Sequence, residues 1–461
     1  MWSLALMQVR RRPAAFVAVA ATALLAVATI GLFASLIAAD VATPARLKPH
    51  GPDEDGLGVI AGIFAEGAII VSLLVMVNCV GFAVRRQLRE LALLRTIAAT
   101  PRQVRALVRW EALAVVALVA PVGWALGAVG AHVLLPALKR HGYAAEAIEI
   151  RSPVVPMLIA TAATGVIAVG AGAVGARRAT RRSPAEALAD TASEPRRVDG
   201  LRRALGGVAV AVVGVLTLVN LARGGADAAE GSFPVLLAAL VALAVLGPLA
   251  TGRVAGALGA APRALSSRVG WLADANLQGH GRRLASAVVP LALLVALAAN
   301  FLLIPPTLAR GTVGARADAV AASSGFADPD ENWLRLVELG MFSLIAAVAV
   351  VNTLVALTLD RRRELGLLKL LGATDRELMR MLALEAGLIV AVGLVLGAAA
   401  GGVSLVTFSN GVTGSPLPSV PMVRCVAIAV ATAVLAAPSV LVTGRVALQR
   451  SDRALAALDV E

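Results

Sequence analysis

The stretch Arg361–Gly387, RRRELGLLKLLGATDRELMRMLALEAG, is densely charged in a chain that is otherwise largely apolar. A second stretch, Arg85–Ala112, RRQLRELALLRTIAATPRQVRALVRWEA, reads as another copy of it. With Glu90 set against Glu364, an offset of 274, ten of the 24 residues from Arg89 to Ala112 are identical without a gap. The matches include Arg89 with Arg363, Leu94 with Leu368, Thr100 with Thr374, and Glu111 with Glu385. Arg95 faces Lys369, a basic residue in both copies. Matched charges at matched spacing mark an internal duplication rather than chance in low-complexity apolar sequence.

Each copy reads as the same device. An apolar run ends and continues as a short charged helix with leucines on more than one face, Leu365, Leu367, Leu368, Leu370 and Leu371 in the second copy. A solvated surface helix needs only one apolar stripe. Gly372, or Ala98 in the first copy, breaks the helix. Thr374-x-x-Glu377 and Thr100-x-x-Gln103 are then capping boxes that start a new helix, the first copy adding Pro101 at its first position. The new helix runs directly into the next apolar run, carrying Glu111 or Glu385 near its start.

Around these blocks, 59% of the 461 residues are hydrophobic and 15% charged, where a soluble domain is about half apolar and a quarter charged. Runs of membrane-spanning length fall at about 14–38, 57–84, 112–136, 153–176, 204–222, 233–250, 285–304, 334–359, 384–407 and 422–444. The first is too long for a signal-peptide core and reads as an uncleaved span. With the N-terminus inside, 32 Lys and Arg lie on the inner side and 10 on the outer. That asymmetry orients the chain with both termini cytoplasmic. It also accounts for the net charge of +13 without nucleic acid. The expectation is an all-α polytopic membrane protein of about ten transmembrane helices arranged 4+2+4, with two repeats and no large extracytoplasmic domain. Its segments are a first span and short outer loop (1–56), a first repeat (57–188), a linker (189–203), a central pair (204–250), an inner segment with the seventh span and an outer loop opening at Pro305-Pro306 (251–333), and a second repeat (334–461).

The duplicated block is similar to the signature of the FtsX-like permease family, the membrane subunits of MacB-type ABC transporters. RRSPAEALAD at 181–190 is similar to the basic segment after the fourth span in such proteins. The resemblance implies that each short inner helix is a coupling helix on a cytoplasmic ABC ATPase dimer, with ATP and Mg on that partner and no cofactor on this chain. It assigns ATPase coupling to Arg86, Arg89, Glu90, Leu94 and Arg95, and to Arg363, Glu364, Leu368 and Lys369. Two repeats in one chain would let one copy supply both permease halves. Many relatives carry a large outer domain; here the corresponding connections are short, which argues against periplasmic handover and suits a substrate taken from the membrane lipid.

Residue chemistry agrees that ATP is hydrolysed elsewhere. A phosphate-binding loop needs a lysine after glycine, and none of Lys48, Lys139 and Lys369 follows one. The histidines show no metal spacing, and Cys79 and Cys425 lie in apolar runs without a ligand pattern. Glu66 and Glu338, each in a span that precedes an inner helix, are candidates for a polar lining of the substrate path. The reading is therefore a permease subunit coupling a partner's ATP hydrolysis to export or extraction of an amphipathic lipid, peptide or antibiotic. A non-transporting mechanotransmission subunit is the alternative, and an ion-driven secondary transporter is disfavoured by the scarcity of intramembrane acids.

Overall fold

The computed structural model describes residues 7, 13–44, 56–87, 90–91, 93, 96, 100–151, 154–180, 196–258, 281–311, 329–360 and 362–458. Every regular element among them is a helix. They are α1 (Pro13–Ala42), α2 (Leu57–Arg86), α3 (Pro101–Arg140), α4 (Val154–Thr180), α5 (Arg196–Arg223), α6 (Gly225–Glu230), α7 (Ser232–Leu258), α8 (Gly281–Gly311), α9 (Pro329–Asp360), α10 (Arg362–Leu370), α11 (Asp375–Thr413) and α12 (Met422–Leu458). Ten of the twelve, all but α6 and α10, are long and apolar enough to cross a membrane. No connection between consecutive helices is longer than 259–280, so no large outer domain interrupts them.

The chain divides into two compact units, Met1–Ser193 and Glu194–Glu461. In the first, α1 packs against α2, α3 and α4. The contact of α1 with α3 is made close by small residues. A Cβ on Gly127 would lie 2.7 Å from the carbonyl oxygen of Ala28, and one on Gly123 would lie 2.9 Å from Val27. Without a hydrophobic force between helices in lipid, such backbone approach is what dispersion contact requires.

The second unit repeats this arrangement with α8, α9, α11 and α12. A Cβ on Gly401 would lie 2.8 Å from the oxygen of Ala296, and one on Gly397 would meet Val295. Gly123 and Gly127 map to Gly397 and Gly401 at the offset of 274, while Val27 and Ala28 map to Val295 and Ala296 at 268. The duplicated packing therefore takes in α1 and α8 as well as the three later helices. The aromatic edge contact recurs too: Phe33 meets Phe64 at 5.4 Å in the first unit, and Phe301, at the place of Phe33, meets Phe342 at 6.2 Å in the second.

The central pair belongs to the second unit. α5 packs on α7, and α7 packs on α8 and α11. Ser404 donates to the oxygen of Ser232 at 2.8 Å and to Asn300 Oδ1 at 3.1 Å, and Asn300 Nδ2 donates to the oxygen of Gly401. This ties α7, α8 and α11 together. The matched residues of the first unit are Leu32 and Gly130, which touch only through apolar atoms.

One expected boundary moves. Pro305 and Pro306 do not end the seventh span; α8 continues to Gly311. A proline removes the hydrogen bond to the carbonyl four residues back, here that of Leu302 for Pro306. The Arg424 guanidinium donates to that carbonyl. Thr307 Oγ1 donates to Leu303 at 2.7 Å and accepts from Ser419 N–H at 3.1 Å. Partners from α12 and its approach replace the missing backbone bond, so the helix survives.

Candidate functional site

The device to be built is the elbow between α2 and α3 in the first unit and between α9 and α11 in the second. In the second unit α10 presents two faces. Leu365 is buried with Leu378, Met381, Ala447 and Leu448, and Leu368 packs half-buried against the same cluster. The other face carries Leu367, Leu370 and Leu371, exposed by 61%, 66% and 83%. Spacings of three and four residues put these three leucines on one side of the helix.

The helix ends in a Schellman motif. Gly372 has φ +93°, its N–H donates to Lys369 O at 2.9 Å, and Ala373 N–H donates to Leu368 O at 3.0 Å. Lys369 bridges the turn, its Nζ 2.7 Å from Asp375. Thr374 then caps α11: Glu377 N–H donates to Thr374 Oγ1 at 3.3 Å, and Thr374 N–H donates to Glu377 Oε2 at 2.9 Å. Two reciprocal bonds satisfy donors that the first helical turn would leave orphaned.

The first copy has the same cap. Gln103 N–H donates to Thr100 Oγ1 at 3.3 Å, and Thr100 N–H donates to Gln103 Oε1 at 2.8 Å. Before it, Glu90, Leu91, Leu93 and Thr96 are helical. Leu91 is buried and Leu93 exposed, matching Leu365 and Leu367 at the offset of 274. Arg89, Leu94 and Arg95 lie outside the described residues, as does the 181–190 segment. Arg86 ends α2 and Arg363 lies in the first turn of α10. Glu90 and Glu364 are half-buried.

Beyond each cap the new helix keeps one inward face in register. Val104, Leu107, Val108, Glu111 and Ala112 are buried in α3, and Leu378, Met381, Leu382, Glu385 and Ala386 in α11. The two glutamates sit with the apolar packing residues rather than at a wet surface. Glu111 accepts from the side chain of Gln87, itself buried at the turn after α2. A carboxylate buried at the elbow joins the end of one span to the start of the next. The charge pattern placed these acids near the interface; only tertiary contacts could show that they turn inward.

The two carboxylates considered for a substrate path have different surroundings, each within its own unit. Glu66 is exposed on α2 of the first unit, among the exposed Val59, Ile63 and Ile69. Glu338 is buried in α9 of the second, at the position matching Phe64. Among the described residues no group of three or more His, Cys, Asp and Glu could hold a metal ion.

A model of the FtsX-like permease C-terminal domain matches residues 62–184 and 336–446. The two matched segments start 274 residues apart, the offset read from the elbows. No curated protein matches the chain.

Proposed function

The chain belongs to the FtsX-like permease family, and from that membership we propose that it is the membrane subunit of an ABC transporter of the MacB type. A separate cytoplasmic ATPase dimer binds ATP and Mg. The permease couples its hydrolysis to export or extraction of an amphipathic substrate, a lipid, peptide or hydrophobic antibiotic. It resides in the bacterial plasma membrane with both termini cytoplasmic, a reading supported by the basic-residue asymmetry. One chain supplies both permease halves. Of the two acids, Glu66 is the one open to meet a substrate.

The observation that supports docking is the split of α10 into an inward and an outward leucine face. Leu367, Leu370 and Leu371 stand exposed beside a charged helix start, where neither the chain's own core nor a span needs them. Exposed apolar side chains in a row on a helix rimmed by charge are what a partner's groove takes up. The matched exposure of Leu93 gives the first repeat the same contact point. Lys369, in contrast, is held against Asp375 and acts by fixing the turn.

The test is affinity purification from native membranes with Leu93→Asp and Leu367→Asp combined. Leu368 is a poor probe because it packs on the chain's own cluster. The wild type should bring down a Walker-motif ATPase. The double variant, present at equal amount in the membrane, should lose it by more than tenfold, since a charge placed at an apolar anchor costs about 2 kcal/mol or more. Equal recovery of the ATPase with both chains would remove the docking role from these helices.

A further inference from the structure

Between α3 and α4 of the first unit lies an open groove of about 520 Å³, walled by Trp110, Leu113, Val116 and Ala117 on one side and by Gly165 and Val169 on the other. It is closed at one end where Trp124 Nε1 donates to Thr161 Oγ1 at 2.7 Å. At the other end Gly172 comes so close to α3 that a Cβ on it would lie 3.6 Å from Arg109 Cα. From Thr161 to Gly172 α4 rises about 16 Å, roughly half of a 30 Å hydrocarbon core.

The Gly172 mouth is basic. Arg109 Nε donates to Arg105 O at 3.3 Å, and Arg105 Nε donates to Pro101 O at 3.1 Å. The stems thus run back along α3, and the guanidinium groups line up toward its N-terminus. Trp110 follows directly, exposed, at the level where apolar wall gives way to charge. Tryptophan favours that boundary in a membrane, and arginine carries its charge out to the phosphates.

The second repeat lacks this edge. At the offset of 274, Arg105, Arg109, Trp110 and Trp124 face Met379, Ala383, Leu384 and Ala398. The inward faces of α3 and α11 match position by position, as described above, while these four residues all differ. The basic and aromatic edge therefore exceeds what the shared packing needs.

We propose that this groove is a binding site for one anionic phospholipid, an acyl chain lying along the Leu113–Val169 wall and the phosphate paired with Arg109 and Arg105. The site belongs to the first repeat alone. It rests on α3 and α4 and stands whatever substrate the permease carries and whether or not the elbows dock an ATPase. A lipid held there spans the helix that begins at the first elbow and its neighbour, so its occupancy would bear on how freely α3 moves against α4.

The test uses the full-length chain in detergent, equilibrated with vesicles of equal phosphatidylglycerol and phosphatidylethanolamine and read by native mass spectrometry. The wild type should retain one phosphatidylglycerol in preference to phosphatidylethanolamine. Arg105→Gln with Arg109→Gln should reduce that preference, by roughly fivefold for each arginine at an anionic surface. Gly165→Leu should lower retention of both lipids, because a Cβ there already lies 3.4 Å from Leu113 and the longer side chain fills the groove. Arg376→Gln, exposed on α11, is the control and should leave both values unchanged. An unchanged headgroup preference in the double-arginine variant overturns the phosphate assignment. Undiminished retention with Gly165→Leu overturns the groove. If Gly165→Leu alone aggregates, the arginine pair on the exposed side still decides.

Discussion

Gly372 sits at φ +93° with nothing within 4 Å of where a Cβ would stand, so backbone strain, not space, restricts it. Gly372→Ala should destabilise the Schellman turn by about 1–2 kcal/mol. Asn, which tolerates the left-handed region better, should lose less. Hydrogen exchange at the Ala373 amide reads this directly: faster in Ala than in Asn, and slowest in the wild type. Equal exchange in all three would mean that the turn is held by the Lys369–Asp375 pair instead. At this scale much was legible. Thr-x-x-Glu and Thr-x-x-Gln are local signals, and both boxes form, because the bonds involve residues three apart. The division of labour among the leucines was not. Leu367 and Leu368 are neighbours with the same chemistry, and only contacts with the cluster of Met381 on the next helix and Leu448 near the end of the chain decide which faces in.

The two longest helices, α3 and α11, extend well beyond the apolar run that each contains, which lets one element hold both the elbow and the bundle core. At Gly401 a Cβ on α11 would lie 2.8 Å from the carbonyl oxygen of Ala296 on α8. Gly401→Ala should cost about 1–3 kcal/mol, since the Cβ must displace the backbone of Ala296 rather than a flexible side chain. The adjacent Gly402→Ala meets nothing within 4 Å and should be neutral or gain up to about 1 kcal/mol of helix propensity. Thermal unfolding in detergent distinguishes them; equal shifts would mean that the helices part freely at this point. The proline pair of α8 makes a second case. Arg424→Leu removes the donor to the carbonyl that Pro306 frees, and should cost about 1–3 kcal/mol with protease sensitivity appearing near Gly311. If that end of α8 stays protected, the contact is incidental. Span number and span type were readable from apolar length alone. This helix end was not, because its rescue comes from an arginine 122 residues after the carbonyl it serves.

On the scale of the molecule, the duplication is nearly exact in packing but unequal in what covers it. Leu118 is exposed on α3, whereas the matching Val392 on α11 is buried; Val133 is exposed, and the matching Thr407 is buried. In the second unit that extra face lies under α6 and α7: a Cβ on Gly411 would lie 2.7 Å from the backbone of Ala229, and Ser404 bonds Ser232. The central pair is thus part of the second repeat's core, which apolar length could not reveal, since a run of valines and leucines reads alike against lipid or protein. The consequence is a difference in autonomy. Residues 1–193 bury their shared inward face within four helices, while residues 281–461 without the central pair would expose the polar trio Asn300, Ser404 and Thr407 to lipid. Polar side chains facing hydrocarbon are costly, and Ser404 would also lose its acceptor on Ser232. Expressed as fragments, 1–193 and 194–461 should each run as a single species in size-exclusion chromatography and resist limited proteolysis. The fragment 281–461 should aggregate, and co-expression of 194–258 should rescue it. Were 281–461 to behave as well as 194–461, the central pair would be an attachment to the second repeat rather than a component of it, and the Asn300–Ser404 network would have to be satisfied within α8 and α11 alone.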